Sequence, residues 1–277
     1  MRFPRLPYWL VSSAIVLALL AVALRRRETA DSPPAPPPLP AAEGQVLAEA
    51  APIDPALVVK ATPLPGRPIG AAFSVADSGV WLTARPIVAG CAAAAVLIGG
   101  GEGVQGTPSV APAFDVAVLR TKTGAPALPI ASEPPAIGAP VFAAGFANGR
   151  PVEVATRLEG FERRYRPGRA RRVTAMLVLA EIGRTEGFKG SLSGLAGAPA
   201  LDAAGRVVGV IIGDAPRRGL LYAAPPEDIA AALAAAGAAP AAQAAGLAFT
   251  TDNYGLAADE LRRALRIAPA ACVAPAS

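Results

Sequence analysis

Apolar positions along this chain fall mostly into short runs rich in Val, Leu, Ile and Ala, each bounded by Gly, Pro or Asp. Such runs occupy Gly70 to Val75, Val80 to Thr83, Ala94 to Ile98, Val116 to Leu119, Pro140 to Ala144, Val152 to Leu158 and Thr174 to Glu181. β-branched runs separated by turn residues predict strands. The stretch from Gly194 to Gly213 predicts a hairpin: a short apolar strand at Ala200 and Leu201, a polar turn over Asp202 to Arg206, and a second strand from Val207 to Ile212. Many short strands with few helices predict an all-β chain built as barrels rather than as a doubly wound sheet.

Helical periodicity is confined to the C-terminal part. Pro225 to Gly237 opens with two prolines, carries Glu227 and Asp228 in its first turn and ends on glycine, the pattern of a helix with both ends signalled. Leu256 to Ile267 is a second amphipathic helix, with Leu261 and Leu265 four residues apart.

The N-terminal part follows neither period. Tyr8 to Leu24 is unbroken by charge, with Arg2 and Arg5 before it and Arg25, Arg26 and Arg27 after it. It is close to the length of a membrane span and longer than most signal-peptide cores, so it predicts one N-terminal transmembrane helix acting as a signal anchor, a cleaved signal peptide being the alternative. Basic residues flank both ends and do not choose an orientation. Ala30 to Ala42 is a proline-rich tether, stiff and poor in donors. The resulting division is 1–29 anchor, 30–45 linker, 46–240 folded domain and 241–277 C-terminal extension.

Four segments carry a family resemblance. GLAGAPALDAAGRVVGVIIG, from Gly194 to Gly213, resembles the G-x-S-G-x-P hairpin of trypsin-like serine proteases, especially the bacterial HtrA/DegP-like branch, with Ala196 at the place of the nucleophilic serine. GAAFSVADSGVWLTARPIVAGC, from Gly70 to Cys91, resembles the segment holding the catalytic histidine, with Pro86 at its position. FDVAVL, from Phe114 to Leu119, resembles the strand bearing the triad aspartate and places that residue at Asp115, while Gly145 and Phe146 match a recurrent turn in which Ala147 replaces proline. The resemblance implies a trypsin-like double six-stranded β-barrel with a C-terminal helix, and an oxyanion-type pair of backbone donors at Gly194 and Ala196.

Composition then removes the chemistry that this resemblance would otherwise suggest. The chain has no histidine. Imidazole is the side chain that titrates near neutrality unaided, and the serine triad depends on it. With only two cysteines, a four-ligand Cys/His zinc site is excluded, and neither a metal nor a cofactor is expected. The expected function is therefore that of a pseudoprotease binding a peptide or protein ligand. The enzymatic alternative is an endopeptidase using Ser191 or Ser193 with Lys189 as base, since a desolvated lysine can activate a serine. Asp115, with no imidazole to orient, is expected to accept hydrogen bonds or to pair with an arginine such as Arg85.

Three further features bear on partners and place. Cys91 and Cys272 either form a disulfide that staples the extension to the first barrel or remain separate thiols. A cysteine pair favours an exported domain, so the expected location is the inner (cytoplasmic) membrane, single-pass, with the folded part on the periplasmic side. Arg163, Arg164, Arg166, Arg169, Arg171 and Arg172 cluster around a Pro-Gly turn. They form either a solvated hairpin tip or an anion-binding patch for lipid headgroups. The +5 net charge is weak evidence for any polyanion, and no specific nucleic acid partner is expected.

Overall fold

In the computed structural model, the described residues are 17, 18, 21, 57–147, 149–166, 172–215, 218–242, 244 and 246–275. Contacts divide the chain into Met1–Ala35 and Pro36–Ser277, and every strand among the described residues belongs to the second unit. Among the described residues no helix is long and apolar enough to cross a membrane. The expected anchor and the proline-rich tether lie almost wholly outside the described residues.

Among the described residues, the strands β1 to β13 form two barrels and one short outer strand. The first barrel is built from β2 (Ile69–Ala76), β3 (Val80–Ala84), β4 (Ala93–Gly99), β5 (Glu102–Ser109), β6 (Val116–Thr121) and β13 (Ile267–Val273). Its order is β5-β4-β13-β2-β3-β6, and pairing of β5 with β6 closes the ring; β1 (Val58–Lys60) is added on the outside of β5. The second barrel closes in the order β10-β11-β12-β9-β8-β7. Its strands are β7 (Pro140–Ala147), β8 (Arg150–Arg166), β9 (Arg172–Arg184), β10 (Pro199–Leu201), β11 (Val207–Ala215) and β12 (Leu220–Ala224). The expected all-β double six-stranded barrel is present.

The sixth strand of the first barrel comes from the far end of the chain. β13 pairs antiparallel with β2 (Ala270 opposite Gly70) and with β4 (Cys272 opposite Ala94). Residues 241–277 are therefore not an appendage: without β13, the edges of β2 and β4 would lose their ladder partners. The Cys91–Cys272 disulfide fastens that strand beside α1 (Arg85–Val88) across 181 residues of sequence, with 5.5 Å between the Cα atoms.

Two longer helices follow the second barrel. α2 (Pro226–Ala235) begins with Pro in its first turn beside Glu227 and Asp228. It ends with Ala238 N–H on Leu233 carbonyl and Gly237 N–H on Ala234 carbonyl, Gly237 having φ +60°. This is a Schellman stop, which glycine makes without strain. The expected helix over Leu256 to Ile267 is instead α3 (Tyr254–Arg263). The same hydrogen-bond pattern ends it early: Leu265 N–H meets Arg262 carbonyl, Arg266 N–H meets Leu261 carbonyl, and Leu265 takes φ +50°. Leu265 accepts this costly conformation while its side chain is buried in the first barrel. Burial lowers the pKa of the Arg266 guanidinium, and Glu260 partly offsets the shift.

Candidate functional site

α1 is a single turn with Pro86 in its first positions, where a proline deprives the helix of no hydrogen bond. Its first residue is tied to the start of β6: Arg85 N–H donates to the Asp115 carbonyl at 2.7 Å, and Arg85 Nη2 lies 3.9 Å from Asp115 Oδ1. Asp115 is buried, Arg85 only partly. The carboxylate thus faces a guanidinium, as expected for an aspartate with no imidazole beside it.

The loop before β10 comes to the same place. Ser193–Leu195 form one 3-10 turn. The Ala196 carbonyl accepts from Ala71 N–H at 2.8 Å, and a Cβ on Gly70 would stand 2.3 Å from that oxygen and 2.6 Å from Ile87 Cδ1. Ile87 immediately follows Pro86, so Ala196 lies against the turn that carries Pro86. Gly197 lies directly on β2 and β3. Its φ is +90°, and a Cβ there would be 2.0 Å from Ala71 O and 2.5 Å from Thr83 Oγ1. Thr83 Oγ1 itself donates to Ala71 O at 2.6 Å. Segments distant in sequence, around Arg85–Ile87, Asp115 and Ala196, therefore share one region between the barrels.

The side chains gathered there are short of chemistry. Pro86 is exposed, and Ala196 is half-buried. The backbone also departs from expectation: Ala196 N–H donates inward to the Ser193 carbonyl at 3.1 Å, closing the 3-10 turn, and is not offered to a ligand. Gly194 is wedged against β7, where a Cβ would lie 2.7 Å from Ala147 Cα. Of the two donors expected at Gly194 and Ala196, the Ala196 N–H is thus taken up within its own turn.

Ser191 and Ser193 are both exposed, as is Lys189. The Ser191 hydroxyl donates to Asp214 Oδ2 at 3.0 Å, and the same oxygen accepts Leu192 N–H at 3.0 Å, while Ser191 Oγ accepts Ser193 N–H at 3.1 Å. Ser191 thus fixes a loop through a carboxylate on β11, and its proton is directed to that carboxylate rather than to Lys189. A lysine serves a serine as base when it is buried beside the hydroxyl, whereas Lys189 is exposed.

Of the arginine cluster, only Arg163 has a described side chain, and it is exposed. Arg164, Arg166 and Arg172 belong to the paired ends of β8 and β9, with Arg166 opposite Arg172. Arg169 and Arg171 lie outside the described residues. Among the described residues, no group of three or more His, Cys, Asp or Glu side chains could hold a metal ion.

One polar feature gave no sign in the sequence. Glu153 on β8 and Arg262 on α3 form an ion pair at 2.5 Å with each side chain 3% exposed. Thr185 Oγ1 donates to Glu153 Oε1 at 2.8 Å, and the Arg262 guanidinium stands 5.7 Å above the Phe146 ring. The partners are 109 residues apart, a separation over which no periodicity could pair them.

Comparison with known proteins agrees with this architecture. Residues 70–210 match the family model described as a trypsin-like peptidase domain. The Rv3671c protease in its inactive form is similar at 25% identity and a TM-score of 0.54, covering 74% of this chain and 100% of that one. The active form of the Rv3671c protease from M. tuberculosis gives 21% identity and a TM-score of 0.52, covering 73% and 99%. The HtrA-type protease AlgW with a decapeptide aligns at 17% identity with a TM-score of 0.49, covering 61% of this chain and 51% of that one. No curated protein matches the sequence.

Proposed function

The chain belongs to the trypsin-like peptidase domain family, and we propose that it is a pseudoprotease: a membrane-anchored protein of the cell envelope that holds an extended peptide or protein segment without cleaving it. The observation that carries this reading is the meeting of Ala196, the Pro86 turn and Asp115 in one region, in a chain with no histidine. Acyl transfer needs a nucleophile and a proton acceptor there. Loss of either from a serine peptidase lowers kcat by about 10⁶, or about 8 kcal/mol of transition-state stabilisation.

Binding requires neither group. An extended segment is held by backbone hydrogen bonds along a strand edge and by side-chain pockets, and both barrels around the region are intact. The direct test offers casein and a panel of extended peptides to the full chain in mild detergent. Saturable peptide binding with no product above a heat-treated control is expected. Turnover by the wild type that is lost when Ser191 or Ser193 is replaced by alanine would remove the reading.

The anchor rests on Tyr8 to Leu24, and the periplasmic placement is supported by the Cys91–Cys272 disulfide, since such bonds persist in oxidising compartments. A periplasm-dependent reporter enzyme fused after residue 45 is expected to be active, and activity only of a cytoplasm-dependent reporter would reverse the orientation. The arginines of β8 and β9 are proposed to meet anionic lipid headgroups. Co-sedimentation with phosphatidylglycerol vesicles should then fall steeply with salt.

A further inference from the structure

From the end of β9 at Arg184 to the 3-10 turn at Ser193 the chain forms neither strand nor helix, so side chains must fix its course. One clamp is Asp214, on the Ser191 hydroxyl and the Leu192 amide. A second stands at the root of the loop. Arg184 directs Nε and Nη2 to the two carboxylate oxygens of Glu181, while its Nη1 donates to the Gly190 carbonyl at 3.1 Å. A two-pronged grip on a carboxylate leaves the guanidinium one orientation, and only 4% of the Glu181 side chain is exposed. Gly190 is thereby held one residue before Ser191.

The residue next to Arg184 is tied to α3. Thr185 N–H donates to the Glu153 carbonyl at 3.0 Å, Glu153 N–H donates to Thr185 Oγ1 at 2.9 Å, and that hydroxyl donates to Glu153 Oε1 at 2.8 Å. The other oxygen of the Glu153 carboxylate accepts from Arg262 Nη2. A continuous run from Arg262 through Glu153, Thr185 and Arg184 to Gly190 therefore joins α3 to the loop. Because α3 leads into β13 of the first barrel, the run also ties the end of the chain to a loop of the second.

Stability alone does not call for an ion pair at this place. Two buried charges cost much of what they gain, and apolar residues of similar volume fill such a site at least as stably. Directional bonds do what apolar packing cannot: they fix where Thr185, and with it Arg184, must sit. We propose that Arg184 is a positioning residue for the loop 190–196 and that α3 sets Arg184 through Arg262, Glu153 and Thr185, so that the C-terminal helix regulates how firmly the cleft loop is held. The proposal rests on the peptide-holding reading for what that loop is used for.

The test follows hydrogen exchange by mass spectrometry over 190–196 in the full chain in mild detergent, relative to β7, with the urea midpoint of each variant measured alongside. Arg184→Met with Glu181→Leu removes the fork and its carboxylate together. It should speed exchange over 190–196 about tenfold or more, and weaken binding of fluorescein-labelled casein by a similar factor. Arg262→Met with Glu153→Leu is the deciding variant: it should regain most of the wild-type midpoint and still exchange about threefold or more faster over 190–196. Thr185→Val should act likewise and carries the decision if that double variant does not fold, while Thr185→Ser, which keeps the hydroxyl, should match the wild type. Wild-type exchange over 190–196 in the deciding variant overturns the proposal, and casein binding by the wild type then leaves the peptide-holding reading standing. Faster exchange with an unchanged casein affinity overturns it as well. Faster exchange in these variants, with no binding of casein or of the extended peptides to the wild type, supports the positioning and removes the peptide-holding reading.

Discussion

The Ala196 carbonyl accepts the Ala71 amide hydrogen at 2.8 Å, so the loop that would carry a nucleophile is joined to the first barrel by a strand-type hydrogen bond. In the next residue, Gly197, the backbone comes so close that no side chain fits. The junction between the barrels is thus held by main chain, whose geometry does not depend on the identity of residue 196. A hydroxyl can be lost there without loss of the fold.

Gly197→Ala should be far more damaging than any change at Ala196. It combines a positive φ with a 2.0 Å approach to Ala71 O, and strain plus overpacking together should cost about 2–5 kcal/mol. Urea denaturation should show the midpoint falling accordingly, whereas Ala196→Ser should move it little.

The Glu153–Arg262 pair should behave as a buried unit. Arg262→Met alone leaves a carboxylate uncompensated and should cost about 3–5 kcal/mol, while Arg262→Met with Glu153→Leu should recover most of the loss. A double-mutant cycle by chemical denaturation measures that coupling.

Reduction should release the last strand first. In the chain-entropy picture a loop of 181 residues corresponds to about 5 kcal/mol of stabilisation. With Cys91 and Cys272 both replaced by serine, amide exchange should quicken earliest over 268–272, in β13, and then in its neighbours β2 and β4.

Asp214 should govern the loop that holds Ser191. Asp214→Ala removes the acceptor of both the Ser191 hydroxyl and the Leu192 amide and should cost about 1–2 kcal/mol. Limited proteolysis should then cut near Gly190 sooner than in the wild type.

The β-branched runs were readable because alternation and turn residues are local signals: β2, β3, β6, β7 and the β10–β11 hairpin lie close to where the sequence puts them. β13 was not readable. IAPAACV is alanine-rich and broken by Pro269, and only pairing between β2 and β4 makes it a strand. β8 and β9 run past their apolar cores into charged ends because they pair with each other as a long ribbon. In the site, the missing chemistry at Pro86 and Ala196 could be read from residue identity. The Ser191–Asp214 contact and the inward turn of the Ala196 amide could not, since both depend on how a loop folds onto a distant strand.

Intact mass after incubation of the full chain with a fluorophosphonate reports directly on whether any serine in this scaffold is an activated nucleophile. Here the expected result is an unchanged mass at a reagent concentration that fully labels an active serine peptidase. An added phosphonyl group on Ser191 or Ser193, lost together with peptide hydrolysis when that serine becomes alanine, would contradict it.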